Sequence, residues 1–146
     1  MPSNPRILLV DDEDEFRLAL SKRLEVRGIE TKAVSSGQAA LAEIKNNPYD
    51  VILLDIKMPQ MNGIEALAEI KKINPLLEVI ILSGHASVDA AMEITKLGGY
   101  DYVIKPCPLD DLLEKIETAY ERKLNREKKP SQPEPSKQFN QTPKEG

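Results

Sequence analysis

Short apolar runs and amphipathic helical patterns alternate five times along the chain. The apolar, β-branched runs predict five strands, at residues 6–10, 30–34, 51–54, 79–82 and 102–104. Apolar residues between and after these runs recur three and four positions apart, and the last segment shows this most clearly with Leu109, Leu112, Leu113 and Ile116. Such spacing predicts amphipathic helices. The pattern therefore predicts five strand–helix units.

The apolar pattern also indicates how the strands are arranged. The first, third and fourth strands are apolar throughout, as expected in a parallel sheet with helices on both faces. The second strand alternates more, so we expect it at an edge. Right-handed crossovers then give an α/β fold with a doubly wound parallel sheet, and about 125 residues are too few for an eight-stranded barrel. The order 2-1-3-4-5 is one of two common orders for such sheets.

The composition changes after the last predicted helix, which suggests a boundary between residues 1–124 and 125–146. In the second range the only large apolar residue is Phe139, and four prolines interrupt any helix. We predict a single folded domain followed by a disordered, Pro-rich, charged tail. Such a tail is an inert solubilising segment, a tether for a partner or a linker to a further domain.

Net charge and composition limit the kinds of partner and metal that we expect the protein to bind. Lys and Arg number 20 against 24 Asp and Glu, so the formal net charge is −4 and the long-range field repels nucleic acids and anionic lipids. Without a membrane-length apolar run or a signal-peptide pattern, we expect a cytoplasmic protein with no direct nucleic-acid or membrane binding. One cysteine and one histidine do not supply a structural zinc site. A bound metal is expected to be a hard cation on oxygen ligands.

Chemically unusual residues follow the predicted strands. Asp11 and Asp12 end the first strand, Asp55 the third, Ser83 the fourth and Lys105 the fifth. Parallel strands end at one edge of the sheet, and ligands of open α/β sheets bind there, between strands 1 and 3 in the order 2-1-3-4-5. We expect these five residues to meet in one pocket.

Three carboxylates in one pocket predict a bound cation, because each negative charge opposes the ionisation of the other two. Mg²⁺ relieves the repulsion and favours sites that also take phosphate oxygens. Lys105 adds a cation that can pair with a phosphate, and the Ser83 hydroxyl can donate to an anionic oxygen. An aspartate beside Mg²⁺ can attack a phosphoryl group, so the pattern favours a phosphoryl-accepting site. The alternative is a set of solvated charges at a helix start, which we expect for Glu13, Asp14 and Glu15.

Four motifs, each at the end of a predicted strand, resemble the receiver domains of two-component response regulators. They are residues 7–13 (ILLVDDE), 55–63 (DIKMPQMNG), 82–85 (LSGH) and 99–106 (GYDYVIKP). The likeness extends from Arg6 to about Leu124, nearly the whole predicted domain. It implies a flavodoxin-like fold with five parallel strands in the order 2-1-3-4-5.

The resemblance also implies roles at the phosphoryl site. Asp55 would accept the phosphoryl group from the phosphohistidine of a sensor histidine kinase. Mg²⁺ would be held by Asp11, Asp12, Asp55 and the main-chain carbonyl of Lys57. Lys105 would pair with the phosphoryl oxygens.

The resemblance further implies a switch. The Ser83 hydroxyl would move toward the phosphoryl group and Tyr102 would turn inward, altering the face made by the fourth helix, fifth strand and fifth helix. A downstream protein would read this face, and phosphorylation-dependent homodimerisation through it stays open. The Lys105–Pro106 bond is similar to a cis peptide of the family.

The expected function is therefore a signalling module that catalyses only its own phosphorylation and dephosphorylation, and not an enzyme for external substrates. Two alternatives stay open. The chain is the receiver portion of a transcription regulator whose output domain is absent, or it is a Mg²⁺-dependent phosphohydrolase with an aspartyl intermediate. The phosphohydrolase lacks its typical Asp-x-Asp start, because Lys57 stands two residues after Asp55. No nucleotide-binding glycine loop occurs.

Overall fold

Five β-α units follow one another in the order that the apolar pattern predicts. The computed structural model of the chain describes residues 4–56, 61–84 and 88–128. The elements are β1 (Ile7–Val10), α1 (Asp14–Val26), β2 (Thr31–Val34), α2 (Gly37–Asn46), β3 (Val51–Asp55), α3 (Gly63–Ile73), β4 (Glu78–Ser83), α4 (Val88–Lys96), β5 (Asp101–Ile104) and α5 (Leu109–Lys128). All strands pair in parallel in the order β2-β1-β3-β4-β5. The predicted doubly wound fold and strand order are confirmed.

The central strands are buried because helices cover both faces of the sheet. Every residue of β1, β3 and β4 is buried, whereas β2 and β5 at the two edges are partly exposed. The predicted edge position of the second strand is thus confirmed. In the register of the sheet, Asp55 lies beside Leu82, and Ser83 lies beside Ile104. This register brings the ends of β3, β4 and β5 to one edge.

Alternate side chains of the strands form two core layers. One layer packs under α2, α3 and α4 and includes Leu8, Ile52, Leu54, Ile81, Leu67, Ile70 and Ile94. The other packs under α1 and α5 and includes Ile7, Leu9, Leu53, Ile80, Leu24, Leu112 and Ile116. Among the described helices, none is long and apolar enough to cross a membrane.

The helix ends follow local sequence signals. Asn62 caps α3, and its side chain and that of Glu65 bond each other's main-chain N–H groups in a capping box. The α1 and α4 helices are followed by Gly28 and Gly98, whose φ angles of 80° and 92° lie in the left-handed region. Glycine adopts this conformation without the clash of a Cβ atom, so both positions suit helix termination.

The last helix extends beyond the predicted domain boundary. The composition placed the boundary after residue 124, but α5 continues to Lys128. Arg126 Nη1 lies 2.9 Å from Glu78 Oε2, and Lys123 Nζ lies 2.5 Å from Glu127 Oε2. These ion pairs stabilise the last turns of α5, and the pairing with β4 is a tertiary contact that composition does not reveal. Residues 129–146 lie outside the described ranges, and their predicted disorder stays a prediction.

Candidate functional site

The predicted convergence of charged residues at the carboxyl edge of the sheet is present. Asp11 and Asp12 follow β1, Asp55 ends β3 and Lys105 follows β5. One carboxylate oxygen from each aspartate lies within 4.8 Å of the others. Lys105 Nζ lies 2.9 Å from Asp11 Oδ2 and 3.5 Å from Asp55 Oδ1. Four residues that are distant in sequence therefore share one pocket.

The three aspartates differ in exposure, so that the cluster is open to solvent on the side of Asp12. Asp11 is fully buried, Asp55 is 7% exposed and Asp12 lies at the surface. With Lys105, the three carboxylates carry a formal net charge of −2, which a divalent cation balances. The donors are all oxygens, and Mg²⁺ favours a few carboxylates with waters or phosphate oxygens in its remaining positions. The donor set therefore fits Mg²⁺.

Without a bound cation, the surroundings of Asp55 disfavour its charged, deprotonated form. Burial is the main cause that raises the pKa of Asp55, and the neighbouring charge of Asp11 raises it further, while Lys105 opposes both. Burial also acts to lower the pKa of Lys105, but the hydrogen bond to Asp11 and the nearby carboxylates outweigh it and raise that pKa above its ordinary value. Lys105 thus stays an ammonium cation between the two carboxylates.

Lys105 is positioned by its main chain and by an aromatic ring. Its N–H donates to the carbonyl of Ser83 at 2.7 Å, and its bond to Pro106 is cis, as the family resemblance implies. The ammonium lies 4.0 Å from the centre of the Phe16 ring, a favourable cation–π distance. Phe16 is one of the apolar residues at helical spacing in α1, and sequence reasoning gave it no role at the site. The sequence signal for a role at the site is the position of Phe16 in the first turn of α1, shortly after Asp11 and Asp12.

Asp11 is held by the first turn of α1. Its Oδ1 accepts a hydrogen bond from the N–H of Glu13 at 2.9 Å, and its main-chain carbonyl accepts one from Arg17 Nη1 at 2.8 Å. Arg17 also pairs with Asp14 at 2.6 Å. The Glu13 side chain is 68% exposed and its nearest oxygen is 4.0 Å from Lys105 Nζ, which agrees with a solvated charge. Sequence reasoning missed the positioning role of Arg17.

The segment after Asp55 passes close to the start of α3. The N–H of Gly63 donates to the Ile56 carbonyl at 2.8 Å, and the N–H of Ile56 donates to the Leu82 carbonyl at 3.2 Å. A Cβ atom at position 63 would overlap the Asp55 carbonyl oxygen and the Ile56 Cα. Only glycine allows this approach. Lys57, whose carbonyl is a predicted Mg²⁺ ligand, lies outside the described residues, so that assignment stays a prediction.

The two predicted switch residues lie on neighbouring strands. Ser83 is 2% exposed at the end of β4, and Tyr102 is half-buried on β5 beside the core layer under α2, α3 and α4. Their movement stays a prediction. The nearby surface carries the exposed apolar side chains Val88, Met92 and Ile104.

Curated relatives are similar in sequence to this chain over most of its length. The family model for the response regulator receiver domain matches residues 7–117. Regulatory protein AtoC of Escherichia coli (strain K12) is 43% identical over 107 residues, which make up 73% of this chain and 23% of AtoC. Transcriptional regulatory protein ZraR of the same strain is 37% identical over 116 residues, or 80% of this chain and 26% of ZraR. The chain thus spans about a quarter of the length of these relatives.

Solved structures agree with the sequence matches. A CheY-like response regulator receiver domain protein from Methanospirillum hungatei JF-1 has a TM-score of 0.81 and 32% identity, covering 85% of this chain and 99% of its own. NtrX from Brucella abortus has a TM-score of 0.79 and 35% identity, covering 86% of this chain and 29% of its own. TrrA from Thermotoga maritima, solved with Mg²⁺-BeF, has a TM-score of 0.72 and 32% identity, covering 78% of this chain and 97% of its own. The chain belongs to the receiver domains of two-component response regulators.

Proposed function

We propose that this receiver domain accepts a phosphoryl group on Asp55 in a Mg²⁺-dependent reaction. The donor is the phosphohistidine of a sensor histidine kinase. The observation that carries the proposal is the position of the Asp55 carboxylate, within 4.8 Å of two other carboxylates and 3.5 Å from Lys105 Nζ. This combination provides a nucleophile, a set of metal ligands and a cation for the transferred group.

The transfer follows from the chemistry of these groups. An oxygen of Asp55 attacks phosphorus, the bond from phosphorus to the histidine nitrogen breaks, and the imidazole leaves with the bonding electron pair. Asp11, Asp12 and Asp55 would hold Mg²⁺, which would supply charge neutralisation at the phosphoryl oxygens. Lys105 binds another phosphoryl oxygen, because its ammonium already faces the Asp55 carboxylate. The reaction is confined to the domain's own aspartate, so the protein is a signalling module and does not turn over external substrates.

The phosphorylated state changes a surface that a downstream protein binds. Ser83 supplies a hydroxyl at the phosphoryl site, and Tyr102 connects it to the face of α4, β5 and α5. Val88, Met92 and Ile104 on this face are 76%, 57% and 40% exposed. An exposed apolar patch of this kind suits a protein contact.

A second candidate role is the receiver unit of a transcription regulator. The observation that favours it is the chain's coverage of about a quarter of AtoC and ZraR, the latter named a transcriptional regulatory protein. The same chemistry at Asp55 would then control a DNA-binding output domain. The position of the stop codon in the encoding gene distinguishes the two roles.

The test of phosphoryl acceptance uses a small acyl phosphate donor, which removes any dependence on a kinase. With acetyl phosphate and Mg²⁺, we expect intact mass spectrometry to show one added phosphoryl group on the wild type and none on Asp55→Asn. The control is Asp89→Asn, because Asp89 is an exposed residue in the first turn of α4 and is not among the clustered carboxylates. Undiminished labelling of Asp55→Asn would overturn the proposal.

A further inference from the structure

A groove along α5 has no lining residue from α4, β5 or the phosphoryl site. It has a volume of about 560 Å³ and lies between α5 and the segment that joins α1 to β2. Its apolar lining includes Ile29, Leu113, Tyr120 and Leu124. The three α5 residues are partly buried, and their spacing of seven and four places them on one helix face. The groove thus offers an elongated apolar floor parallel to a helix.

The rim of this groove is acidic. Glu114, Glu117 and Glu121 line it from α5, and all three are exposed. Within the described ranges, none of them forms an ion pair, whereas Asp110 pairs with Arg27 at 3.2 Å. The four carboxylates and one guanidinium carry a formal net charge of −3. Like charges three and four residues apart on a helix repel one another, so an opposing cationic surface is favoured.

We propose that this surface, the α5 groove, binds a basic amphipathic helix of a partner protein. Apolar side chains of the partner at helical spacing would cover Leu113, Tyr120 and Leu124, as in other helix-in-groove complexes. Its Lys or Arg side chains would neutralise the acidic rim. A second copy of this chain is a poor occupant, because pairing two α5 grooves would bring identical acidic rims together. The proposal does not depend on phosphorylation of Asp55.

The test uses the unphosphorylated chain of residues 1–146 and a synthetic helical peptide of about 18 residues, or five turns. The peptide carries Leu along one face and Lys on both flanks, and a matched peptide carries Glu in place of every Lys. In fluorescence anisotropy at low salt we expect the Lys peptide to bind about tenfold or more tightly than the Glu peptide, with the difference shrinking at high salt. Amide NMR shifts should concentrate around Leu113, Tyr120 and Leu124.

Paired substitutions separate the groove from the overall negative charge. The double variant Glu117→Lys/Glu121→Lys should lose the preference for the Lys peptide. The control Asp89→Lys/Glu93→Lys makes the same charge change on exposed positions of α4 and should retain it. Equal loss in both variants, equal binding of the two peptides, or NMR shifts on another surface would overturn the proposal.

Two further measurements test the other occupants. Concentration-dependent shifts of the groove residues without peptide would assign the groove to a second copy. Tighter peptide binding by a chain that ends at Lys128 would assign it to residues 129–146. Either result would overturn the assignment to a partner protein, and the unchanged spectrum and affinity that we expect would support it.

Discussion

The Asp55 carboxylate lies where its negative charge is unfavourable in the absence of a cation. Burial and then Asp11 raise its pKa above the ordinary value of 3.8, and Lys105 offsets this only in part. A raised pKa in the folded state means that the native protein favours the protonated acid more than the unfolded chain does. Its contribution to stability is therefore complete below pH 3.8 and is lost as the pH rises through the folded-state pKa.

The direction of this pKa shift predicts how the substitution Asp55→Asn changes the stability of the protein. In Mg²⁺-free buffer at neutral pH, we expect the variant to have a higher Tm than the wild type, because the neutral amide removes the repulsion with Asp11. The advantage should shrink as the pH falls through the folded-state pKa of Asp55, where the wild-type acid becomes protonated. Thermal unfolding followed by circular dichroism measures it. A lower Tm than the wild type at neutral pH would contradict the explanation.

Tyr49 provides a second pH-dependent residue, remote from the site. Burial, together with the hydrogen bond from its hydroxyl to Glu43 and the charge of Glu43, raises the pKa of Tyr49 to about 12. The unfolded state therefore loses this proton near pH 10 while the native state keeps it to about pH 12. We expect the free energy of unfolding to fall across that window, and to fall less steeply in Tyr49→Phe. Urea unfolding at several alkaline pH values tests this, and equal slopes would refute it.

At the scale of elements, α5 is joined to the start of β4 by a buried carboxylate. Glu78 is fully buried, and its Oε2 lies 2.9 Å from Arg126 Nη1 and 3.2 Å from Arg122 Nε. Lys123 makes a parallel contact, 3.0 Å from Asp50 Oδ1, just before β3. Breaking a buried pair is costly because it leaves a buried charge without compensation.

We therefore expect Arg122→Met/Arg126→Met to lower the free energy of unfolding by about 3–5 kcal/mol. Adding Glu78→Met should recover much of the loss, because the unpaired buried charge is then removed. The control is Arg27→Met, which breaks a pair whose side chains are 48% and 85% exposed and should cost less than about 1 kcal/mol. Urea unfolding compares them, and similar losses in the double variant and the control would contradict the role of Glu78.

The start of α3 gives another prediction at this scale. Gly63→Ala would place a Cβ atom against the Asp55 carbonyl, so we expect a loss of about 1–3 kcal/mol in stability and slower phosphorylation. Gly37 also begins a helix, but the nearest atoms to a Cβ there belong to the flexible side chain of Met61, with its sulfur at 2.9 Å. Gly37→Ala should therefore be milder. The same urea and acetyl phosphate assays apply, and equal effects of the two variants would argue against the close contact.

Sequence patterns anticipated the elements better than their ends. The fully apolar strands and the helical stripes identify all five β-α units, because burial on both sheet faces and on one helix face leaves a direct signature. The last turns of α5 were missed, because residues 125–128 contain no large apolar side chain and Arg126 instead forms a tertiary ion pair with Glu78. Phe16 and Arg17 were missed at the site for a similar reason. Their contacts depend on where the first turn of α1 lies relative to β5.

At the scale of the whole molecule, a bound cation should couple the site to global stability. Mg²⁺ in tenfold excess over its Kd should stabilise the protein by about 1.4 kcal/mol, because the proposed ligands come together only in the folded chain. Asp12→Asn should reduce this gain, and the exposed position of Asp12 means that the metal-free stability changes little. Asp89→Asn on α4 is the control. Thermal unfolding across a Mg²⁺ titration measures the effect, and an undiminished gain in Asp12→Asn would remove Asp12 from the ligand set.

The strand β4 spans the domain between two chemically different ends. Ser83 stands at its carboxyl end, and Glu78, about 16 Å away along five residue steps, holds the final turns of α5. Because β4 is hydrogen-bonded to both β3 and β5, its two ends are held in one fixed register within the sheet. The last turn of α5 is consequently anchored on the same strand that bears the candidate switch hydroxyl.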